Sequence, residues 1–133
     1  MIAMLLAVLA TQATAQDDSG VTRLAGRCEY PPAVAEYQQE ILLALCDSVV
    51  IDRGGATATF DFSRGSGASK LRFSGTISGQ RMAVSSVQVR SGKAVSATGT
   101  CEIFHIDGKP SMVACLARAG SRGYAANFRP SRR

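Results

Sequence analysis

From Val49 to Phe128 apolar and polar residues alternate with a period of two, and glycine-containing breaks interrupt the alternation at short intervals. That combination predicts an antiparallel meander with one buried face. A two-residue turn at Gly54-Gly55 sets Val49 opposite Phe60 and Ile51 opposite Ala58. Leu71, Phe73 and Ile77 alternate with Lys70, Arg72, Ser74 and Thr76, and a Gly79-Gln80 turn sets Ile77 opposite Met82. After Val84 the apolar phase slips to Val87 and Val89, which predicts a β-bulge at Ser85-Ser86. Three-residue loops at Ser91-Gly92-Lys93 and Asp107-Gly108-Lys109 place Val89 against Val95 and Cys101 against Cys115. A Gly120-Ser121 turn then brings Tyr124 opposite Ala117, Ala126 opposite Cys115 and Phe128 opposite Val113, making seven strands with a common apolar face.

Two stretches depart from this period. After Pro31-Pro32, Val34, Tyr37, Ile41, Ala44 and Leu45 recur at three- and four-residue spacing with Glu36, Gln38, Gln39 and Glu40 between them, which predicts one helix over about residues 33–46. A seven-stranded sheet is too wide for one short helix to cover unless it curls. Ala58, Gly75, Ala97, Gly99, Ala117 and Ala126, small residues at inward positions, permit tight curvature. The expected fold is therefore α+β: one N-terminal helix packed on or wrapped by a strongly curved antiparallel meander of about seven strands, the alternative being a small up-and-down β-barrel with a flanking helix. Residues 16–27, polar and glycine-containing, are expected to form a flexible or edge-pairing arm, 28–129 a single domain, and 130–133 a frayed basic tail.

The second departure is Met1 to Ala10, an unbroken apolar run followed by the small-x-small sequence Ala13-Thr14-Ala15. It predicts a signal peptide over residues 1–15, although no Lys or Arg precedes the run, and hence a secreted or periplasmic protein. Ten apolar residues are far short of the roughly 20 that span a bilayer. Cleavage would expose Gln16 rather than a cysteine, which disfavours a lipid anchor. Export changes the meaning of Cys28, Cys46, Cys101 and Cys115, because disulfides persist in oxidising compartments. Three pairings are open, with Cys28 to Cys46, which flank the ends of the predicted helix, and Cys101 to Cys115, opposite each other in the predicted register, having the best local argument.

The charge is polarised. Residues 17–52 carry two basic against seven acidic residues, and residues 53–133 carry thirteen against three, within a net charge of +5. Alternate turns of a meander share one end of the sheet, so Arg64, Lys70, Arg90, Lys93, Arg118 and Arg122 are expected to cluster there with no acid among them. Such a cluster attracts phosphate, sulfate or carboxylate polymers, or an anionic membrane surface, unless it is only a solvated rim. Nucleic acid is disfavoured, since no aromatic residue interleaves these charges and Trp is absent.

Catalytic candidates are few. His105 is the single histidine, so a zinc site of several imidazoles is excluded, and no C-x-x-C pair marks a metal ribbon or redox motif. A triad would need His105 with Asp107 or Glu102, but no sequence context marks a nucleophile. Gly65 to Lys70 lacks the full phosphate-loop pattern and its strand-to-helix setting. Phe104, Ile106, Met112 and Leu116 alternate opposite to the common core face, leaving one hairpin apolar on both sides. Cover from elsewhere in the chain is the favoured expectation for them, a patch for a protein partner or self-association the alternative. The sequence thus points to an exported, non-enzymatic binding module without a cofactor or metal. It recognises an anionic envelope or extracellular polymer through the basic loops, or a protein partner, as an inhibitor does, through the hairpin patch.

Overall fold

The computed structural model of the protein describes residues 20–35, 40–65, 69–90 and 92–131. Its strands are β1 (Gly20–Cys28), β2 (Ile41–Leu43), β3 (Ser48–Gly54), β4 (Thr57–Ser63), β5 (Ser69–Ser78), β6 (Arg81–Val89), β7 (Val95–Ile106), β8 (Lys109–Ala119) and β9 (Arg122–Pro130). The only helical element among the described residues is a single turn, α1 (Pro32–Ala35). Strands β1 and β3 to β9 pair antiparallel in sequence and β1 also pairs with β9, so eight strands close a barrel. The expected α+β fold is therefore incorrect: the protein is an all-β closed barrel, and among the described residues no N-terminal helix longer than the single turn α1 packs on or flanks it.

The helix expected over residues 33–46 fails for an identifiable reason. Ile41 to Cys46 is a continuous apolar run that reads equally well at either period. The barrel seam decides between them. Strand β1 pairs through Gly20 to Ala25 with β3 and through Gly26 to Cys28 with the lower half of β9, which leaves the upper half of β9 without a neighbour. Strand β2 fills that gap, parallel to β9 with Ile41 beside Gly123 and Leu43 beside Ala125. The Gly123 amide donates to the Glu40 carbonyl at 3.0 Å, and the Ala44 amide to the Ala125 carbonyl at 2.9 Å. The backbone groups that a helix would satisfy within itself are used to complete the wall. Ala44 and Cys46 then point inward and are buried, whereas Leu45 is exposed.

Residues 20–27 of the expected arm belong to the closing strand. Leu24 and Cys28 pack against the core, and at Gly26 a Cβ would overlap the Arg129 carbonyl oxygen, so the seam closes tightly only over glycine. The expected tail is also partly structured: Pro130 ends β9 opposite Gly26, and the Ser131 amide donates to the Ala25 carbonyl at 2.8 Å. The signal-peptide segment 1–15, residues 16–19, and Arg132 and Arg133 lie outside the described residues.

Within the meander several expected pairs are observed. Ile77 faces Met82, Cys101 faces Cys115, and Tyr124, Ala126 and Phe128 face Ala117, Cys115 and Val113. Ser85 is the unpaired residue of a bulge between Ser74/Ser86 and Gly75/Val84. Two hairpins differ. The first turn is Gly55-Ala56, which pairs Val49 with Phe62 and Ile51 with Phe60, and Val95 pairs with Val87 rather than Val89. Both displacements are of two residues, so the inward face is unchanged. At the β7–β8 connection the turn is two residues, Asp107-Gly108, and a bulge near Ser111 restores the register that a three-residue loop would have set.

The interior is filled. Phe60, Phe62, Phe73, Phe128, Met82 and Leu71 are essentially inaccessible, and the Phe62 and Phe73 rings meet edge to face at 5.8 Å. An open cavity for an apolar ligand is therefore not part of this barrel. Disulfides join Cys28 to Cys46 and Cys101 to Cys115. The first ties β1 to the end of the segment carrying β2, and the second staples the neighbouring strands β7 and β8 on their inward face. Tyr30 anchors the same segment, its hydroxyl donating to the Ala44 carbonyl at 2.6 Å, and burial pushes its pKa up to about 12.

Candidate functional site: a basic rim and an apolar hairpin face

The up-and-down order places the turns at Gly55-Ala56, Gly79-Gln80 and Asp107-Gly108 at one end of the barrel and the loops after β4, β6 and β8 at the other. Arg64, Arg90, Lys93, Arg118 and Arg122 are exposed at the second end. Lys70 lies in β5 at the same end, one residue beyond the Ser63/Ser69 pair. The structure thus gathers the six sequence candidates on one rim, distributed around it rather than packed together. Successive basic loops are two strands apart, about 10 Å at the usual interstrand spacing.

Two acids missed in the sequence reading share this rim. Glu40 lies beside Gly123 next to the β8–β9 loop, and the Asp47 carboxylate accepts from the Gly65 amide at 3.1 Å. Both arrive there because the Ile41 to Cys46 segment runs as wall rather than as helix. Reading that segment at period two would have located them.

The ion pairs are distributed unevenly. Arg72 meets Asp61 at 2.8 Å and Arg81 meets Glu102 at 3.0 Å, while Arg27 and Arg129 both approach Glu29. Among the described residues none of Arg64, Arg90, Lys93, Arg118 and Arg122 pairs with a carboxylate. Glu29, Asp61 and Glu102 are thus engaged along the barrel wall, away from those five exposed rim cations. Arg90 adopts a positive φ of 51° just after the end of β6.

At the opposite end Arg53 sits at an inward register position and donates from Nη2 to the Gly79 carbonyl at 2.6 Å, closing the barrel floor. Its Nε is buried without a hydrogen-bond partner. His105 is exposed near the β7–β8 tip, opposite Pro110. Glu102, one of its two possible orienting acids, is engaged with Arg81. Among the described residues no group of three or more His, Cys, Asp or Glu side chains is arranged to hold a metal.

Among the described residues the hairpin patch is left largely exposed. Ile106 is 65% exposed, Leu116 59% and Phe104 38%, with Met112 half-buried beside Phe104. The expected internal cover does not come from the described part of the N-terminal arm: β1 is committed to the seam on the far side of β9. A shallow groove crosses this face between Phe104, Ala114, Leu116, Thr100 and the Arg81–Glu102 pair. A second groove, lined by Asp52, Thr57, Ala58, Thr59, Ser74, Thr76 and Ser85, lies on the outer surface of β3 to β6.

The two disulfides point to an oxidising, non-cytoplasmic compartment. No helix among the described residues is long and apolar enough to cross a membrane. Comparison with protein-family models, with curated proteins and with solved structures finds no match for this chain.

Proposed function

We propose that the protein is an exported, non-enzymatic binding module whose basic rim takes an anionic envelope or extracellular polymer bearing sulfate, phosphate or carboxylate groups. The observation that carries this reading is the uneven use of acids: Arg27, Arg72, Arg81 and Arg129 on the barrel wall reach carboxylates, and among the described residues the exposed rim cations Arg64, Arg90, Lys93, Arg118 and Arg122 do not. Charges about 10 Å apart around a rim suit a flexible polyanion that contacts several loops at once, rather than one small anion. Arginine predominates, and its planar guanidinium matches the oxygen pairs of sulfate and phosphate.

Retention of the disulfide-bonded protein on immobilised heparin, eluted with salt, tests the reading. Counterion release makes affinity fall steeply with salt in proportion to the charges neutralised. Arg90→Glu and Arg118→Glu should each elute at lower salt and flatten the salt dependence, whereas Arg27→Ala, already paired with Glu29, should not. Retention that is indifferent to both rim variants rejects the proposal. The exposed hairpin face supports a second, protein-facing surface on the same molecule.

A further inference from the structure

We propose that the ligand of the rim is a linear polyanion held along one bounded arc of three connections and excluded from the fourth, a path that rests on the binding role proposed above. Four connections run at the rim: those from β4 to β5, β6 to β7 and β8 to β9, and the segment of residues 29–47, which carries β2 and joins β1 to β3. The charges divide completely between them. Arg64 with Lys70, Arg90 with Lys93, and Arg118 with Arg122 belong to the first three, where no acid occurs, whereas residues 29–47 hold four acids and no base.

That division has a spatial order. The Asp47 carboxylate accepts from the Gly65 amide at 3.1 Å, which fixes it against the β4–β5 loop. The Glu40 carbonyl accepts from the Gly123 amide at 3.0 Å, which sets Glu40 beside the β8–β9 loop. One acid therefore stands at each end of the basic series, and the middle loop, with Arg90 and Lys93, is separated from both by two strands on either side. From the first basic loop to the third is four strands, about 20 Å at the usual interstrand spacing. Positive potential is raised along this arc and falls at both ends, so a chain of anionic groups is attracted while it follows the three loops and repelled where it continues past them.

Other anions fit the rim less well. An anionic bilayer laid across it meets all four connections at once and sets its phosphates against Glu40 and Asp47, whereas a flexible chain bends along three and leaves the fourth in water. A small anion reaches a single loop, because adjacent loops stand about 10 Å apart. A polymer bearing sulfate, phosphate or carboxylate groups at short intervals engages the second and third loops intramolecularly once it holds the first.

Heparin fragments graded in extended length from about 10 Å, one loop spacing, to about 40 Å, twice the arc, test the path by titration of the disulfide-bonded protein at several salt concentrations. Counterion release counts the charges neutralised, so the steepness with which affinity falls with salt should rise with fragment length up to about 20 Å and stay level beyond it. A steepness already complete at one loop spacing, or still rising at twice the arc, overturns the bounded path, and this series needs no variant. Glu40→Lys combined with Asp47→Asn, which keeps an acceptor for the Gly65 amide, should move the plateau to longer fragments; an unmoved plateau overturns the excluding role of the two acids. Arg90→Glu, at the middle of the arc, should weaken the arc-length fragment about tenfold, and more than Arg64→Glu or Arg122→Glu at its ends. A larger loss at the ends overturns the order of contacts. Phosphatidylglycerol vesicles at equal anionic charge should not displace the fragment, and displacement overturns the choice of a polymer over a bilayer. If Arg90→Glu and Arg118→Glu leave heparin retention unchanged, the binding role itself fails; if both reduce retention and no plateau occurs near the arc length, the bounded arc alone fails.

Discussion

At the scale of single residues the wall tolerates almost no change where strands approach most closely. At Gly75 a Cβ would overlap the Ala83 carbonyl oxygen, and at Gly99 that of Leu116. Gly99→Ala should therefore destabilise by about 2 kcal/mol through overpacking, measured by denaturant unfolding, whereas Gly54→Ala, with open space around it, should change little. Small residues at these inward positions are visible in the sequence, but whether they serve curvature or helix contact is not. Tyr30 shows the reverse situation, since nothing in its sequence context marks it as buried. Its folded pKa of about 12 exceeds the usual value of 10.0, so the unfolded chain releases the proton first. Stability from this group is complete below pH 10 and is lost as pH rises toward 12. Spectrophotometric titration should find one tyrosine ionising late, and Tyr30→Phe should remove that phase.

At the scale of elements the contrast between the meander and the 29–47 segment is informative. Leu71 to Phe128 was readable because alternation, glycine turns and one bulge all agree, and errors of two residues at Gly55 and Val95 do not disturb a period of two. Ile41 to Cys46 was not readable, because a run of consecutive apolar residues contains both periods. Its state is set by the unoccupied edge of β9 and by the Cys28–Cys46 bond. Replacing both of these cysteines with serine should cost about 3 kcal/mol by the loop-closure model for a loop of this length. Exchange of the Ala44 and Gly123 amides should accelerate more than that of the β7–β8 amides, which retain Cys101–Cys115. Equal acceleration across the barrel would show that the bond does not act locally on the seam.

At the scale of the molecule, barrel closure concentrates the apolar material inside and sorts the loops by end. Phe60 is fully buried at the centre of that interior, and Phe60→Ala should destabilise by about 3–5 kcal/mol in thermal or denaturant unfolding. Closure also distributes the basic loops around a rim and brings Glu40 and Asp47 to it, so the site is a charged ring rather than the acid-free cluster that turn order alone suggested. The hairpin face has the same origin: with β1 used to seal the seam, no described element covers Phe104, Ile106 and Leu116.

The sequence by itself determined the inward face of seven strands, the bulge at Ser85, the register that sets Cys101 opposite Cys115 and the end of the barrel at which the basic loops lie. These depend on period two, on turn residues and on the order of consecutive hairpins, all of which are local. Only the tertiary structure decided that the sheet closes, that Gly20 to Cys28 is the closing strand and that Ile41 to Leu43 is wall rather than helix. Those outcomes depend on hydrogen-bond partners about a hundred residues apart at the β1–β9 seam, where the need to satisfy backbone groups outweighs local helical spacing.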